Sequence, residues 1–403
     1  MRDRFIKEYT KSMDDLHFSA DSKEALIRML TEPTENVPRK RSKRKFILVV
    51  LAASFVLGTF TGAAAYTRWS KSAQANYSAT EQQKAQAENI GLSSILETSA
   101  KEAEIISATD QGVTITAVQT IVDKYSAMIT LRIEGFELPE GQKPSLSIFS
   151  ANVAGVNTSF KAPGYFYDGT TTNDSSQQVY MDGSPVQYNS DGEIIPDYTA
   201  SDGSLEYYTT FVFSRTDPPF GKQIQFQITG VGTEEKPYLV RGEWTLKWTL
   251  SGATESRVMK HNTLIGNSEV TLLETVVTPI NIVGIFVIDD PDDIYLDRTS
   301  PIASETVESL FVGYRTKDGQ IHITSTDRYG LTRVEYSAGI SGVDKRYSDY
   351  DITNDAIVVE VQTLTKRIID PDDVDAFVFL KSNPENKDLS ALTEENFYII
   401  PIN

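Results

Sequence analysis

The pattern of apolar and polar positions divides the chain into an N-terminal tail, one long apolar segment and a large region of alternating residues. The apolar segment runs from Phe46 to Tyr66 and holds 21 residues without a charge. About 20 such residues are enough for a helix to cross the roughly 30 Å hydrocarbon core of a membrane. A helix buried in a soluble protein would keep a polar face, whereas here large apolar side chains surround the axis. The pattern therefore predicts a transmembrane helix over 46–66.

A secretory signal peptide and a soluble core helix are the two alternatives to a membrane anchor. Ala63-Ala64-Ala65 fits the small-x-small pattern of a signal-peptide cleavage site. However, 45 residues precede the apolar segment, far more than the charged region of such signals normally holds. The core helix is disfavoured because the segment has no polar face. We therefore expect a retained anchor, with cleavage after Ala65 as the principal alternative.

Beyond the apolar segment, apolar and polar residues alternate with a period of two. This alternation, rich in Val, Ile and Thr, is typical of β-strands that are buried on one face. The clearest example is the stretch GEWTLKWTL, which places four large apolar residues on one face of a strand: Trp244, Leu246, Trp248 and Leu250. A second series of short strand patterns begins near Ser268 and includes a hairpin over 311–326 with its turn at Lys317-Asp318-Gly319.

The regular spacing of these short strands, with almost no helical periodicity after the apolar segment, indicates the fold class. It predicts a mainly β protein with two antiparallel, immunoglobulin-like β-sandwich domains in series, over 102–252 and 253–403. Both domains would follow the single transmembrane helix and a short helical tail.

Two polar segments interrupt this pattern. Residues 67–101 are rich in Ala, Gln and Glu and are predicted to be a stalk, either helical or flexible, with Tyr66 and Trp69 at the outer membrane interface. Residues 160–205 contain four Asp-Gly pairs, which are typical of tight turns. This second segment is either a surface insertion or a binding loop. The region 160–210 also carries seven tyrosines suited to carbohydrate or protein contact: Tyr165, Tyr167, Tyr180, Tyr188, Tyr198, Tyr207 and Tyr208.

The first 38 residues read as two short amphipathic helices and a linker. Apolar residues at helical spacing are Phe5, Ile6, Tyr9, Met13 and Leu16 in the first helix, and Leu26, Met29 and Leu30 in the second. Isolated helices shorter than about 12–15 residues are marginally stable, so these apolar faces need a partner. The partner could be the other helix, the membrane surface or the groove of a cytosolic protein. A loosely ordered tail without a partner is the alternative.

Charge is distributed unevenly along the chain, which has a formal net charge of −18. Residues 1–66 contain 12 basic and 8 acidic residues, a net charge of +4, and the remainder contains 26 and 48, a net charge of −22. Residues 39–45 form a juxtamembrane run with six basic side chains: Arg39, Lys40, Arg41, Lys43, Arg44 and Lys45. The positive-inside rule then predicts a cytoplasmic N-terminus and extracellular β domains.

The same charge distribution bears on possible partners. The acidic region after residue 66 would repel phosphates, so no nucleic-acid partner is expected. The anionic headgroups of membrane lipids are sufficient partners for the basic run 39–45.

No catalytic residue, cofactor or metal site is predicted, and we expect that the protein is not an enzyme. Cysteine is absent, which excludes disulfides, thiol catalysis and cysteine metal ligands. His17, His261 and His322 stand far apart, and no nucleophile elbow or phosphate-binding loop occurs. Two acidic clusters, 289–293 and 370–373, each contain a proline and are interpreted as solvated turns. Weak Ca²⁺ sites and paired catalytic carboxylates are the alternatives for these clusters.

The layout resembles a family of Gram-positive membrane proteins catalogued as domain of unknown function 4179, often followed by a second β domain of unknown function. The resemblance is carried by the short tail, the single span and the strand RGEWTLKWTLSG from Arg241 to Gly252. The stretches VTPINIVGI and YRTKDGQIHI, which fall in the second β domain, carry it further. Members of that family look like anti-sigma factors. The resemblance implies a tail that holds an extracytoplasmic-function sigma factor at the membrane and an extracellular domain that senses an unknown ligand.

Two hypotheses of different classes follow. The first is an anti-sigma-like regulator at the cell membrane, whose tail binds a sigma factor through 5–30 and whose β domains sense an external ligand. The second is a cell-surface binding or adhesion protein with an inert tail, whose ligand would be cell wall, polysaccharide or another protein.

Overall fold

A computed structural model describes most of the chain beyond residue 68. The residues it describes are 69–77, 79–96, 104–156, 159–161, 164–172, 177–199, 202–215, 217–266, 270–288, 311–324, 332–338, 357–365, 367–381 and 394–402. Within them, strands dominate and all sheets are antiparallel, so the prediction of a mainly β fold is confirmed. No helix in this part of the chain is long and apolar enough to cross a membrane. The tail, the basic run and the predicted span 46–66 lie outside the described residues.

Two sheets enclose the first hydrophobic core. Their strands are β1 (Ser93–Ile95), β2 (Ser107–Asp110), β3 (Val113–Val122), β4 (Ser126–Glu134), β5 (Pro144–Val153), β6 (Ser159–Lys161), β7 (Tyr165–Phe166), β10 (Leu205–Phe213), β11 (Gln223–Thr233) and β12 (Val240–Thr249). One sheet has the order β1-β3-β4-β10-β6, with β2 paired to β3 and β7 paired to β10, and the other has the order β12-β11-β5.

The alternation seen in the sequence explains how this first core forms. Trp244, Leu246 and Trp248 of β12 are completely buried, together with inward-facing residues of β3, β4, β10 and β11. The Trp248 ring stacks on Phe226 of β11 with 5.8 Å between ring centroids. The Trp244 indole Nε1 donates a hydrogen bond of 2.9 Å to the Val113 carbonyl of the facing sheet. Strand β12 thus supplies much of the apolar layer between the two sheets.

A second pair of sheets encloses a second core. The strands are β13 (Arg257–Leu264), β14 (Val270–Val277), β15 (Asn281–Ile288), β16 (Phe311–Thr316), β17 (Ile321–Ile323), β18 (Thr332–Ala338), β19 (Ile357–Leu364), β20 (Val374–Leu380) and β21 (Phe397–Pro401). The sheet orders are β13-β14-β15-β19-β18 and β17-β16-β20-β21. Phe286, Phe377 and Phe379 are buried between them. The predicted hairpin is confirmed, because β16 pairs with β17 and Gly319 has a φ of 86° in the turn.

Between Trp69 and the first strand, the structure describes two helices, which pack against the outer face of the larger sheet. They are α1 (Lys71–Tyr77) and α2 (Glu81–Asn89), and Thr80 and Gln83 form a capping box at the start of α2. Trp69, next to α1, is only 3% exposed and its indole Nε1 donates to the Glu88 carboxylate at 2.9 Å. The expectation that Trp69 lies at a membrane interface is therefore wrong. The segment predicted as a stalk contributes buried side chains to the fold.

A buried polar network joins the residues after β3 to the start of β15. The Asp123 carboxylate is completely buried and accepts hydrogen bonds from the Tyr125 and Ser126 amides, both at 2.9 Å. It also accepts bonds from the Thr278 hydroxyl and from the Asn281 amide group, whose Nδ2 lies 2.9 and 2.8 Å from its two oxygens. Because these partners lie in or beside β4 and β15, the network connects the two pairs of sheets.

Candidate functional site

A polar cavity of about 480 Å³ lies between the segment 167–206 and the start of α1. Its walls include three tyrosines, three carboxylates and one lysine: Tyr167, Tyr180, Tyr198, Asp182, Asp197, Glu206 and Lys71. Segment 167–206 overlaps most of the polar segment 160–205, which the sequence predicts to be either a surface insertion or a binding loop. This polar segment is called the excursion below. The volume is in the range of pockets that hold small ligands.

The excursion is fixed by a short hairpin and by hydrogen bonds between its ends. Strand β8 (Thr170–Thr172) pairs with β9 (Gln178–Tyr180). The Asp197 amide donates to the Asp168 carbonyl at 2.8 Å, and the Tyr180 hydroxyl donates to the Ile195 carbonyl at 2.6 Å. These bonds hold residues 195–197 against the residues around β8 and β9. The cavity walls are therefore connected by backbone and side-chain hydrogen bonds.

The glycines of the four Asp-Gly pairs adopt the positive φ that their sequence predicts. Gly169, Gly183, Gly192 and Gly203 have φ values of 82°, 85°, 79° and 81°, a conformation that glycine adopts without steric cost. Gly169 has a second constraint, since a Cβ there would stand 2.6 Å from the Asp197 carbonyl oxygen. This close approach brings Asp197 to the cavity wall.

The carboxylates of the cavity are held by local donors. Asp182 Oδ1 accepts from the Ser184 amide at 2.8 Å and its hydroxyl at 2.6 Å, and these bonds lower the pKa of Asp182 below its ordinary value of 3.8. Asp197 Oδ1 accepts from the Thr199 amide at 3.3 Å. Asp182 therefore carries its negative charge at neutral pH.

Glu206 connects the cavity to the first helix. Its two carboxylate oxygens accept hydrogen bonds from the backbone amides of Lys71 and Ser72, at 3.2 and 2.9 Å respectively. The first amides of a helix have no partner within the helix, so a carboxylate here satisfies two of them. A residue of the cavity wall thus fixes the start of α1.

The tyrosines of the cavity present neutral hydroxyl groups. Burial raises the pKa of Tyr198 to about 12 and raises that of Tyr167 further. Tyr167 is 7% exposed, and its buried hydroxyl has no hydrogen-bond partner among the described residues. Most buried hydroxyl groups in proteins are hydrogen-bonded, so the Tyr167 hydroxyl is an exception among the described residues.

The sequence singled out some residues of this site and missed others. Tyr167, Tyr180 and Tyr198 line the cavity, whereas Tyr188 lies outside it and is 61% exposed. No sequence pattern indicates Lys71, because the other residues of the cavity wall all lie 96 or more positions further along the chain. The four Asp-Gly pairs and the tyrosine content of residues 160–210 are the sequence signals that indicate this place.

The other residues considered at the sequence level do not join the cavity. Apolar residues of the tail and the basic side chains of the run 39–45 lie outside the described residues, as does the acidic cluster 289–293. The cluster 370–373 forms a turn before β20, in which the Asp373 amide donates to the Asp370 carbonyl at 3.0 Å. In the described part of the chain, no group of three or more His, Asp or Glu side chains is placed to hold a metal ion.

Comparison with known proteins adds little. No protein-family model and no curated protein matches the chain. Among solved structures, the chain is similar to a conserved domain protein from Bacillus anthracis, with a TM-score of 0.38 and 11% identity over 77% of this chain and 92% of that chain.

Proposed function

We propose that the chain is a single-pass regulatory protein of the cell membrane that resembles anti-sigma factors. In this proposal residues 46–66 span the membrane and the tail binds an extracytoplasmic-function sigma factor inside the cell. The two pairs of sheets act outside as two immunoglobulin-like sandwiches in series, and the cavity receives the external ligand.

The contact between Glu206 and α1 is the observation that carries this proposal. Glu206 belongs to the cavity wall and accepts hydrogen bonds from the amides of Lys71 and Ser72. Lys71 follows the end of the proposed span at Tyr66 by five residues, which reach at most about 18 Å when fully extended. A ligand that changes the geometry of Glu206 therefore acts on the part of the chain that leads directly into the membrane.

A second candidate function is a surface-binding protein with an inert tail. The cavity itself favours this alternative, because a binding site for a wall component or a carbohydrate would need no cytoplasmic partner. Its tyrosines and carboxylates provide the hydrogen-bonding groups that such a ligand requires.

Deletion of residues 5–30 separates the two functions. The readout is transcription from promoters that depend on extracytoplasmic-function sigma factors, measured in cells that carry the full chain or the deletion. The regulatory proposal predicts that the deletion raises transcription as strongly as loss of the whole protein. Unchanged transcription with intact protein at the membrane would reject it and favour the surface-binding function.

A further inference from the structure

The outer face of the smaller sheet around the first core, β12-β11-β5, is a polar surface with few charges. Strands β5 and β11 contain no charged residue, although 23% of the chain is charged. Their inward-facing residues are apolar and pack in the first core. The outward-facing positions of β11 that alternate with them are half-buried and hold Gln223, Gln225 and Gln227. We call this outer surface of β5, β11 and β12 the glutamine face.

The register of the strands arranges the polar side chains of the glutamine face in rows. Gln225 lies opposite Lys247 of β12 on one side and opposite the exposed Asn152 of β5 on the other. In the next row Gln227 lies opposite Ser150, whose hydroxyl donates to its Oε1 at 2.7 Å. Neighbouring strands are about 4.8 Å apart, and successive rows are about 7 Å apart. The face therefore presents amide and hydroxyl groups, which donate and accept hydrogen bonds, at a regular spacing.

Two exposed aromatic side chains stand on the same face. Phe149 is the extra residue of a β-bulge in β5 and is 78% exposed. Tyr238 is 49% exposed, and its ring lies against Gly230 of β11, where a Cβ would stand 2.4 Å from a ring carbon. Gly230 precedes the core residue Val231, so its open side belongs to the outer face. Gly230 also pairs with Ser147, which is two residues, or about 7 Å along the strand, from Phe149.

We propose that the glutamine face binds an uncharged, linear polysaccharide. The C–H face of a sugar ring packs on an aromatic ring, and sugar hydroxyl groups pair with amide and hydroxyl side chains. An anionic polymer is disfavoured, because the chain after residue 66 carries a net charge of −22. A cationic ligand would meet no carboxylate on β5 or β11. The charged residues that β12 contributes have both signs and nearly cancel: Arg241, Glu243 and Lys247.

A second copy of the chain, paired at the edge of β5, is the competing occupant of this surface. Among the described strands, β5 pairs with β11 only, so its other edge carries backbone groups that a further strand could bind. The bulge at Phe149 interrupts a regular ladder along this edge, and bulges protect edge strands from such pairing. Polysaccharide binding goes beyond the proposed function. It requires that the β domains lie outside the cell, but it uses neither the cavity nor the tail.

The test is binding of the full chain to an oligosaccharide array, with the protein purified in a detergent that has no sugar headgroup. The array carries linear hexamers of glucose, mannose, galactose and N-acetylglucosamine, and a hexamer of galacturonic acid as the charged control. We expect at least one neutral hexamer to bind, with saturation confirmed by calorimetric titration, and the galacturonic acid hexamer to give no signal. Absence of binding to every neutral hexamer, or equal binding of the acidic hexamer, would overturn the assignment.

Matched substitutions locate the binding surface. Phe149→Ala and Gln225→Ala should each weaken binding of the neutral hexamer about fivefold, because one removes an aromatic platform and the other an amide. Tyr188→Ala removes an aromatic side chain of the excursion that is 61% exposed and should alter binding less than about twofold. If Tyr188→Ala weakens binding as much as Phe149→Ala, the sugar binds elsewhere and the assignment fails.

The exposure of Phe149 keeps the proposal testable, because its side chain contributes little to the core. The melting temperature of Phe149→Ala should therefore equal that of the wild-type protein, so weaker binding cannot be attributed to unfolding. Unchanged hexamer binding in the folded Phe149→Ala variant would contradict the assignment.

Self-association and the regulatory function are tested separately. Sedimentation velocity measures the oligomeric state of the same samples. A dimer that dissociates in Phe149→Ala, with no hexamer bound, would overturn the assignment and identify the edge of β5 as an interface between copies. Sigma-dependent control by the tail without any hexamer binding would reject only the polysaccharide assignment. Hexamer binding together with transcription that is unchanged by deletion of residues 5–30 would support the assignment and reject only the regulatory function.

Discussion

Asp123 is a buried carboxylate whose hydrogen-bond partners lie in or beside strands of both pairs of sheets. Asp123→Asn replaces one acceptor oxygen with an amide nitrogen, which is a donor. This nitrogen would face the side-chain nitrogen of Asn281, so two donors would meet. We expect a loss of about 3 kcal/mol in the free energy of unfolding, measured by urea titration. The double substitution Asp123→Asn with Asn281→Asp restores the donor–acceptor balance and should recover part of the loss. A change below about 0.5 kcal/mol, comparable to the exposed control Asp191→Asn, would contradict this role.

His261 and His322 make stability depend on pH. Burial lowers the pKa of each imidazole below its ordinary value of 6.5, so the folded state binds the proton less readily than the unfolded state. Their contribution to stability is complete above pH 6.5 and is lost as the pH falls through the lowered pKa values. The melting temperature should therefore fall between pH 7.5 and 5.5, and His261→Gln with His322→Gln should reduce this slope. Identical slopes in the two proteins would contradict the assignment.

At the residue scale, the sequence predicted the backbone conformation at the Asp-Gly pairs of the candidate site better than the contacts of its side chains. An Asp-Gly pair is a local signal, since the positive φ depends on the glycine itself, and all four glycines have a positive φ. The contact between Glu206 and the start of α1 is not local, because 135 positions separate Glu206 from Lys71. The packing of α1 against β10 brings these residues together.

At the scale of elements, the packing of α2 can be tested at its capping box. The Thr80 hydroxyl accepts from the Gln83 amide, and the Gln83 side chain accepts from the Thr80 amide at 3.0 Å. Thr80→Ala should cost about 1 kcal/mol of stability, because it removes the cap of a helix that packs on the first sheet. Gln82→Ala, at an exposed position of the same helix, is the control and should have little effect. Equal stability of all three proteins would indicate that α2 does not support the fold.

The elements that the sequence predicted well are those with a large apolar face. In β12, bulky apolar residues alternate with polar ones because one face meets the core, and this pattern is visible without a structure. Helices α1 and α2 bury mostly small or polar residues, such as Ala73, Ala87 and Ser72. Because such residues give no amphipathic pattern, the sequence indicated a polar stalk rather than a packed segment.

At the scale of the whole molecule, the proposed topology depends on the basic run 39–45. Moving its six basic residues outside would lose about 1 kcal/mol each in contacts with anionic lipid and would oppose the membrane potential. Protease added to intact protoplasts should therefore remove the β domains and spare an epitope placed before Arg39. Loss of that epitope, or recovery of a soluble form cleaved after Ala65, would contradict the anchor.

Capture of a sigma factor by the full chain tests the central claim most directly. The protein is solubilised from membranes in detergent, and the proteins bound to it are identified by mass spectrometry. We predict an extracytoplasmic-function sigma factor in the eluate of the wild-type protein and its loss in a variant with Phe5→Ala and Leu30→Ala. A matched variant with Lys11→Ala should retain the sigma factor. Failure to recover any sigma factor with an intact tail would contradict the regulatory function.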